Sequence, residues 1–169
     1  MEVAEKKIID LASGSLEQSA AIIRSAFGKV AGELGITFEN APLFPAFITL
    51  ERLEEMRSRG ALFYGLFIGG KQVGVVALEK RDTGDYYMER LAVLPEYWHG
   101  GLGRELVNFI IDRARRLGVR KLYFGMVNEH KVLKDWYQSM GFKEISVKKF
   151  ENLPFSVCFM ALDILIEER

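Results

Sequence analysis

At 169 residues, 49% of them apolar, the chain can bury one substantial core but is short for two ordinary domains, so residues 1–169 read as a single domain. Lys plus Arg and Asp plus Glu both total 23, so no net field draws the chain towards nucleic acid or an anionic membrane surface. The lone cysteine, Cys158, excludes an intrachain disulfide and fits a reducing compartment, read as the cytoplasm. Met1 to Lys7 reads as neither signal peptide nor anchor, and no stretch approaches the roughly 20 apolar residues of a membrane span.

Lys6 to Leu11 is a short apolar run that predicts a strand. Ser15 then precedes Leu16 to Lys29, where Leu16, Ala20, Ile23 and Phe27 recur at helical spacing. Turn formers fill Gly32 to Ala41. Leu43 to Arg59 reads as a second helix on Phe44, Phe47, Leu50, Leu53 and Met56. Ala61 to Ile68 and Gln72 to Lys80 are β-rich runs joined by Gly69, Gly70 and Lys71, the pattern of a tight antiparallel hairpin. After the turn Asp82 to Asp85, Tyr86 to Leu94 predicts a third strand of the meander, ended by Pro95. Gly103 to Leu117 places Leu106, Phe109, Ile110 and Ala114 on one helical face and stops at Gly118. Lys121 to Val127 returns as a strand, parallel to the one before the helix. Lys131 to Met140 forms a helix ended by Gly141, and Phe142 to Phe150 and Phe155 to Asp163 close a mixed sheet.

The stretch Val93-Leu-Pro-Glu-Tyr-Trp-His-Gly-Gly-Leu-Gly-Arg-Glu-Leu106 leaves a strand, crosses a glycine-rich turn and enters a helix. Glycines at 100, 101 and 103 let successive N–H groups converge where a helix N-terminus adds partial positive charge, which suits a pyrophosphate. The same glycines also suit a plain chain reversal. Two familiar phosphate loops fail here: a P-loop needs Lys and Ser/Thr where Arg104 and Glu105 stand, and a dinucleotide fingerprint needs glycine where Leu106 stands.

The spacing resembles the acetyl-coenzyme A loop of the GNAT superfamily of N-acetyltransferases, with Gly101 and Gly103 in its glycine places. Leu91-Ala-Val-Leu-Pro95 before the loop and Tyr137-Gln-Ser-Met-Gly-Phe142 after it extend the resemblance, which covers roughly Ala61 to Asp163. It implies an α/β (α+β) fold with a mixed, largely antiparallel sheet of about seven strands, splayed to admit the cofactor and flanked by about four helices. It implies acetyl-CoA as co-substrate, held by Leu91, Ala92 and Val93 along the strand and by Trp98, His99, Gly100, Gly101, Leu102, Gly103 and Arg104 in the loop. Trp98 departs from the family's Arg or Gln, and packing explains it as well as binding does. The family's Asn seven residues before the tyrosine is His130 here, so Asn128 or His130 is left to touch the pantetheine, and His130 also suits an ordinary helix start.

The implied reaction is N-acetylation of a primary amine, on a small molecule or a peptide, by direct attack in a ternary complex. Its alternative is a non-catalytic acyl-CoA binding or sensing module. The resemblance makes Tyr137 the proton donor to the departing thiolate, a role a neutral phenol can fill. An ammonium acceptor needs a base, for which Glu89 is the candidate. A period of two puts Glu89, Leu91 and Val93 on one strand face. A solvent-facing Glu89, or one paired with Arg90 or Lys80, is the competing reading. The backbone N–H near Leu91 is the family's polariser of the thioester carbonyl. Cys158, in an apolar run, reads as a buried hydrophobe rather than a nucleophile. Two histidines and one cysteine give no metal-ligand spacing, so no metal is expected. A dimer is common in the family, so the resemblance allows a homodimer.

Overall fold

The computed structural model describes residues 4–165, so the reading of Met1 to Lys7 lies partly outside them. In chain order the elements are β1 (Lys6–Asp10), α1 (Glu17–Leu34), α2 (Leu50–Ser58), β2 (Leu62–Ile68), β3 (Lys71–Lys80), β4 (Tyr86–Val93), α3 (Leu102–Arg116), β5 (Lys121–Val127), α4 (Lys131–Ser139), β6 (Lys143–Lys149) and β7 (Ser156–Asp163). The strands form one sheet ordered β1-β2-β3-β4-β5-β7-β6, antiparallel throughout except for the β4–β5 pair. This is the mixed α/β architecture anticipated from the element order.

Alternation along β3 assigns the two faces. Val75 and Ala77 pack with Ala20, Ile23 and Leu53 of α1 and α2, whereas Val76 and Leu78 pack with Leu106, Ile110 and Tyr137 of α3 and α4. The β2–β3 turn is tighter than expected. Gly69 and Gly70 both have positive φ, 58° and 84°, and Lys71 already pairs with Ile68.

Two helix boundaries differ from the sequence reading. The first helix runs past Gly32 to Leu34 and ends at Gly35, whose φ of 66° suits a left-handed cap; its N–H bonds Ala31 O. Glycines at 28 and 32 weaken a helix without breaking it, and burial of Ile22, Ile23 and Ala26 outweighs them. The expected helix over Leu43 to Arg59 splits instead. Pro45 lacks an N–H and keeps Phe44 extended (φ −63°, ψ 142°), so only a 3-10 turn forms over Pro45–Phe47. Thr49, whose side chain accepts from Arg52 N at 3.2 Å, then caps α2.

Two features of β4 shape the centre of the molecule. It pairs with β5 only at Tyr86↔Leu122 and Tyr87↔Tyr123, whereas β5 pairs with β7 over its whole length, from Lys121↔Asp163 to Val127↔Val157. Beyond Tyr87 the two parallel strands part. In addition, Val75 faces Ala92 but Ala77 faces Glu89, so two steps on β3 match three on β4. That is a β-bulge, and Arg90 sits in it with φ 55°.

Candidate active site

The bulge corrects the strand-face reading. Residues opposite each other in an antiparallel pair point to the same face. Glu89 opposite Ala77, and Ala92 opposite Val75, therefore face α1 and α2, while Leu91 and Val93 pack in the core beneath α3 and α4. Glu89 does not share a face with Leu91 and Val93, because the extra residue reverses the alternation between them.

Where β4 and β5 diverge, a cavity of about 570 Å³ opens, walled by Met88 to Leu91 on one strand and Phe124 to Val127 on the other. Tyr137 from α4 and Phe27 and Phe44 from the α1 side complete it. Glu89 and Tyr137 thus reach one cavity from opposite faces of the sheet.

Tyr137 is buried among Phe124 (4.2 Å between ring centroids), Trp136 (4.9 Å) and Phe142 (5.8 Å). Burial pushes its phenol above the ordinary tyrosine range, so it stays protonated through neutral and mildly alkaline pH. Glu89 is not solvent-facing, and its main partner is neither Arg90 nor Lys80. Arg81 Nη2 bonds Glu89 Oε1 while its Nε holds Glu79 at 2.7 Å and its guanidinium lies 4.3 Å from the Tyr87 ring centroid. Arg90 Nη1 stays 3.8 Å from Glu89 Oε2. The sequence reading missed Arg81, whose only signal was its place beside the turn that leads into β4.

The glycine loop follows a 3-10 turn over Pro95–Tyr97. Carbonyls of Leu94 and Pro95 take the N–H groups of Tyr97 and Trp98, and the next N–H in the chain with a backbone acceptor is that of Glu105, to Gly101 O at 3.1 Å. Between them, the N–H groups of His99 to Arg104 lie at the positive end of the 15-residue α3. His99 and Gly101 adopt left-handed φ, 67° and 81°, and Gly101 caps α3. A Cβ on Gly101 would meet nothing within 4 Å, whereas one on Gly103 would come within 3.3 Å of Trp136. These residues fit a diphosphate: orphan donors, an open approach at Gly101, and Gly103 locked against the helix that carries Tyr137. Arg104 is exposed and donates to Ser139 Oγ at 3.3 Å.

Trp98 packs. Its Nε1–H bonds Val93 O at 2.6 Å, and Lys29 Nζ sits 4.9 Å from its ring centroid. Trp98→Phe removes this hydrogen bond together with part of the ring's packing and lowers stability by about 1 kcal/mol or more, measured by denaturant unfolding; an unchanged midpoint would mean that neither contributes. His130 caps α4, its Nδ1 accepting from Leu133 N at 3.3 Å, and borders the cavity. Asn128 lies outside the cavity wall; Lys134 bonds its Oδ1 and reaches Glu144 at 2.9 Å. Cys158 is fully buried, with Glu144 Oε1 3.4 Å from its sulfur, and burial together with that carboxylate pushes the thiol up. That disfavours a thiolate nucleophile. Among the described residues no three His, Cys, Asp or Glu side chains gather as a metal site, and no helix is long and apolar enough to cross a membrane.

Comparison with known proteins bears on the family and the fold. Residues 32–142 match the model of the acetyltransferase (GNAT) family. An uncharacterized N-acetyltransferase of Lactobacillus delbrueckii subsp. lactis is 25% identical over 85% of this chain and 88% of its own. The crystal structure of the Escherichia coli ribosomal-protein-S18-alanine N-acetyltransferase superposes with a TM-score of 0.77 at 20% identity, covering 98% of this chain and 97% of that one. The PaiA N-acetyltransferase of Thermoplasma acidophilum, solved in complex with coenzyme A, gives 0.74 at 19% identity over 94% and 99%. Those two likenesses concern the fold. With the family model spanning most of its length, the chain belongs to the acetyltransferase (GNAT) family, enzymes of acetyl-CoA-dependent acetyl transfer.

Proposed function

We propose that this enzyme N-acetylates a primary amine, carried by a small molecule or a peptide, through direct attack within a ternary complex. One observation carries the reading: Glu89 and Tyr137 reach a single cavity from opposite faces of the sheet, between strands that have parted. Acetyl-CoA supplies the activated thioester carbonyl. The N–H groups of His99 to Arg104 would hold its pyrophosphate, and β4 from Leu91 to Val93 would border its arm.

The amine enters from the side of α1 and α2, where Glu89 lies. An alkylammonium is mostly charged at neutral pH and must lose a proton before it can attack, so a carboxylate there, acting directly or through water, assists. Arg81 holds that carboxylate in place. On the opposite face, Tyr137 keeps the proton that a departing thiolate needs. The bulge at Arg90 leaves backbone unmatched by the β3 ladder at the mouth of the cleft, where an N–H can polarise the carbonyl.

The experiment is a free-thiol assay of acetyl-CoA turnover over a broad amine panel, with Glu89→Gln beside wild type. Wild type turns over at least one amine, and Glu89→Gln lowers kcat by roughly 100-fold. Tight coenzyme A binding without turnover of any amine defeats the reading and favours a binding module. Turnover untouched in Glu89→Gln removes Glu89 from the mechanism.

A further inference from the structure

The charged side chains at the cavity floor are not evenly satisfied. Arg81 engages both Glu79 and Glu89. Arg90, which follows Glu89, has 17% of its side chain exposed and lines the cavity; among the described residues its only ion-pair contact is the 3.8 Å approach to Glu89, and its buried Nε has no hydrogen-bond partner. A guanidinium carries five donors, and leaving a buried one unpaired, as Nε is here, is costly. Arg90 is also held in place by its backbone, in a bulge at φ 55° that a β-strand would not adopt without cause. Burial lowers the affinity of Arg90 for its proton, with Glu89 opposing that effect and Arg52 adding to it. Among the described residues, then, the long contact with Glu89 leaves the Arg90 guanidinium with capacity for a further anion.

Much of the remaining wall is apolar, although His130 and Asn152 also border it. Phe27, Phe44, Leu43, Leu153 and Phe155 surround the same space, and Leu43 is 91% exposed at its rim. Glu89, the candidate base for the amine, and Arg90 are adjacent residues, so an acceptor that meets both must carry its amine and its anion close together. We infer that the acceptor is an α-amino acid with a large apolar side chain, whose carboxylate docks on the Arg90 guanidinium while its amine lies towards Glu89. An amino acid has the two charges one carbon apart, and a planar carboxylate matches the fork of a guanidinium. The apolar wall takes the side chain. This inference rests on the amine-acetylation reading and narrows its acceptor.

The test compares L-phenylalanine and L-leucine with phenylethylamine and isopentylamine, their counterparts without a carboxylate, and with L-phenylalaninamide, in the free-thiol assay. The amino acids are expected to exceed both amines and the amide in kcat/KM by roughly 100-fold, the scale of a charge-assisted bond to a buried group. In Arg90→Met the preference collapses to within a few-fold, and in Arg90→Lys it is partly retained. Equal or better use of the carboxylate-free amines by wild type overturns the proposal without any variant, so a misfolded Arg90→Met does not shield it. A separate binding measurement on the coenzyme A complex uses N-acetyl-L-phenylalanine against N-acetylphenylethylamine. Preference for the carboxylate compound with no turnover of any amine keeps the Arg90 site and rejects the transfer reading. Equal binding of the two rejects the Arg90 site itself.

Discussion

Replacing Tyr137 by phenylalanine is expected to lower kcat by roughly 10² to 10⁴-fold, the range for loss of a positioned general acid, with little change in KM for acetyl-CoA. The ring contacts with Phe124, Trp136 and Phe142 survive in the variant, so the fold should be retained. Steady-state kinetics with a saturating amine measures the loss, and an unchanged kcat would remove Tyr137 from proton transfer. The phenol's environment gives a second readout. Because burial raises its folded pKa above the unfolded value of about 10, the folded chain keeps a proton that the unfolded chain gives up at higher pH. The associated stability is complete below about pH 10 and declines as pH rises further. Wild type should therefore lose more stability than Tyr137→Phe between pH 10 and 11, measured by denaturant unfolding at each pH.

Gly101→Val is expected to raise KM for acetyl-CoA by about 10- to 100-fold. Gly101 caps α3 at φ 81°, a region costing an L-residue about 1–2 kcal/mol and a β-branched one more, so the loop relaxes and its N–H groups turn away from their common focus. The open space around Gly101 means that backbone conformation, not a clash within the protein, produces the effect. Gly118→Val is the control: its φ of 78° at the far end of the same helix imposes similar strain away from the loop. Equal effects of the two on stability, with KM raised only by Gly101→Val, locate the pyrophosphate cradle. Equal KM values would mean that the loop is only a turn.

Much of the fold was legible because its signals are local. The Gly69-Gly70 turn, the Pro95 stop, the amphipathic stripe of α3 and the Gly118 cap each depend on residues within one or two turns of each other. The spacing Gly101, Gly103, Tyr137 and Phe142 lies in the same class, since it sets an order of elements. The misread helix over Leu43 to Arg59 shows the limit of periodicity. Its apolar spacing fits a helix, but Pro45 and the Thr49 cap decide where backbone hydrogen bonding can begin. Freed from a helix, Phe44 and Leu43 join the cavity wall.

The site itself was only half legible. Residue types at 89 and 137 announced an acid and a phenol, yet their relation depends on pairings between strands far apart in sequence. Strand alternation put Glu89 with Leu91 and Val93, and a one-residue slip against β3 parted them. No run of side chains foretells the bulge, because Arg90 is held at φ 55° by its neighbours in the sheet rather than by any preference of arginine. The claim of Arg81 on Glu89, likewise, arises from the hairpin that brings the ends of β3 and β4 together.

By itself, then, the sequence determined the order of the elements, the glycine turn at the head of α3 and the phenol at the end of α4, since backbone freedom, chain stops and helical spacing act over a few residues. Only the tertiary structure decided that β4 and β5 part after Tyr87, that Glu89 faces the α1 side and Tyr137 the α3 side, and that Arg90 is buried short of partners. Register, strand separation and desolvation are properties of surfaces brought together, and they exist only once the sheet has closed.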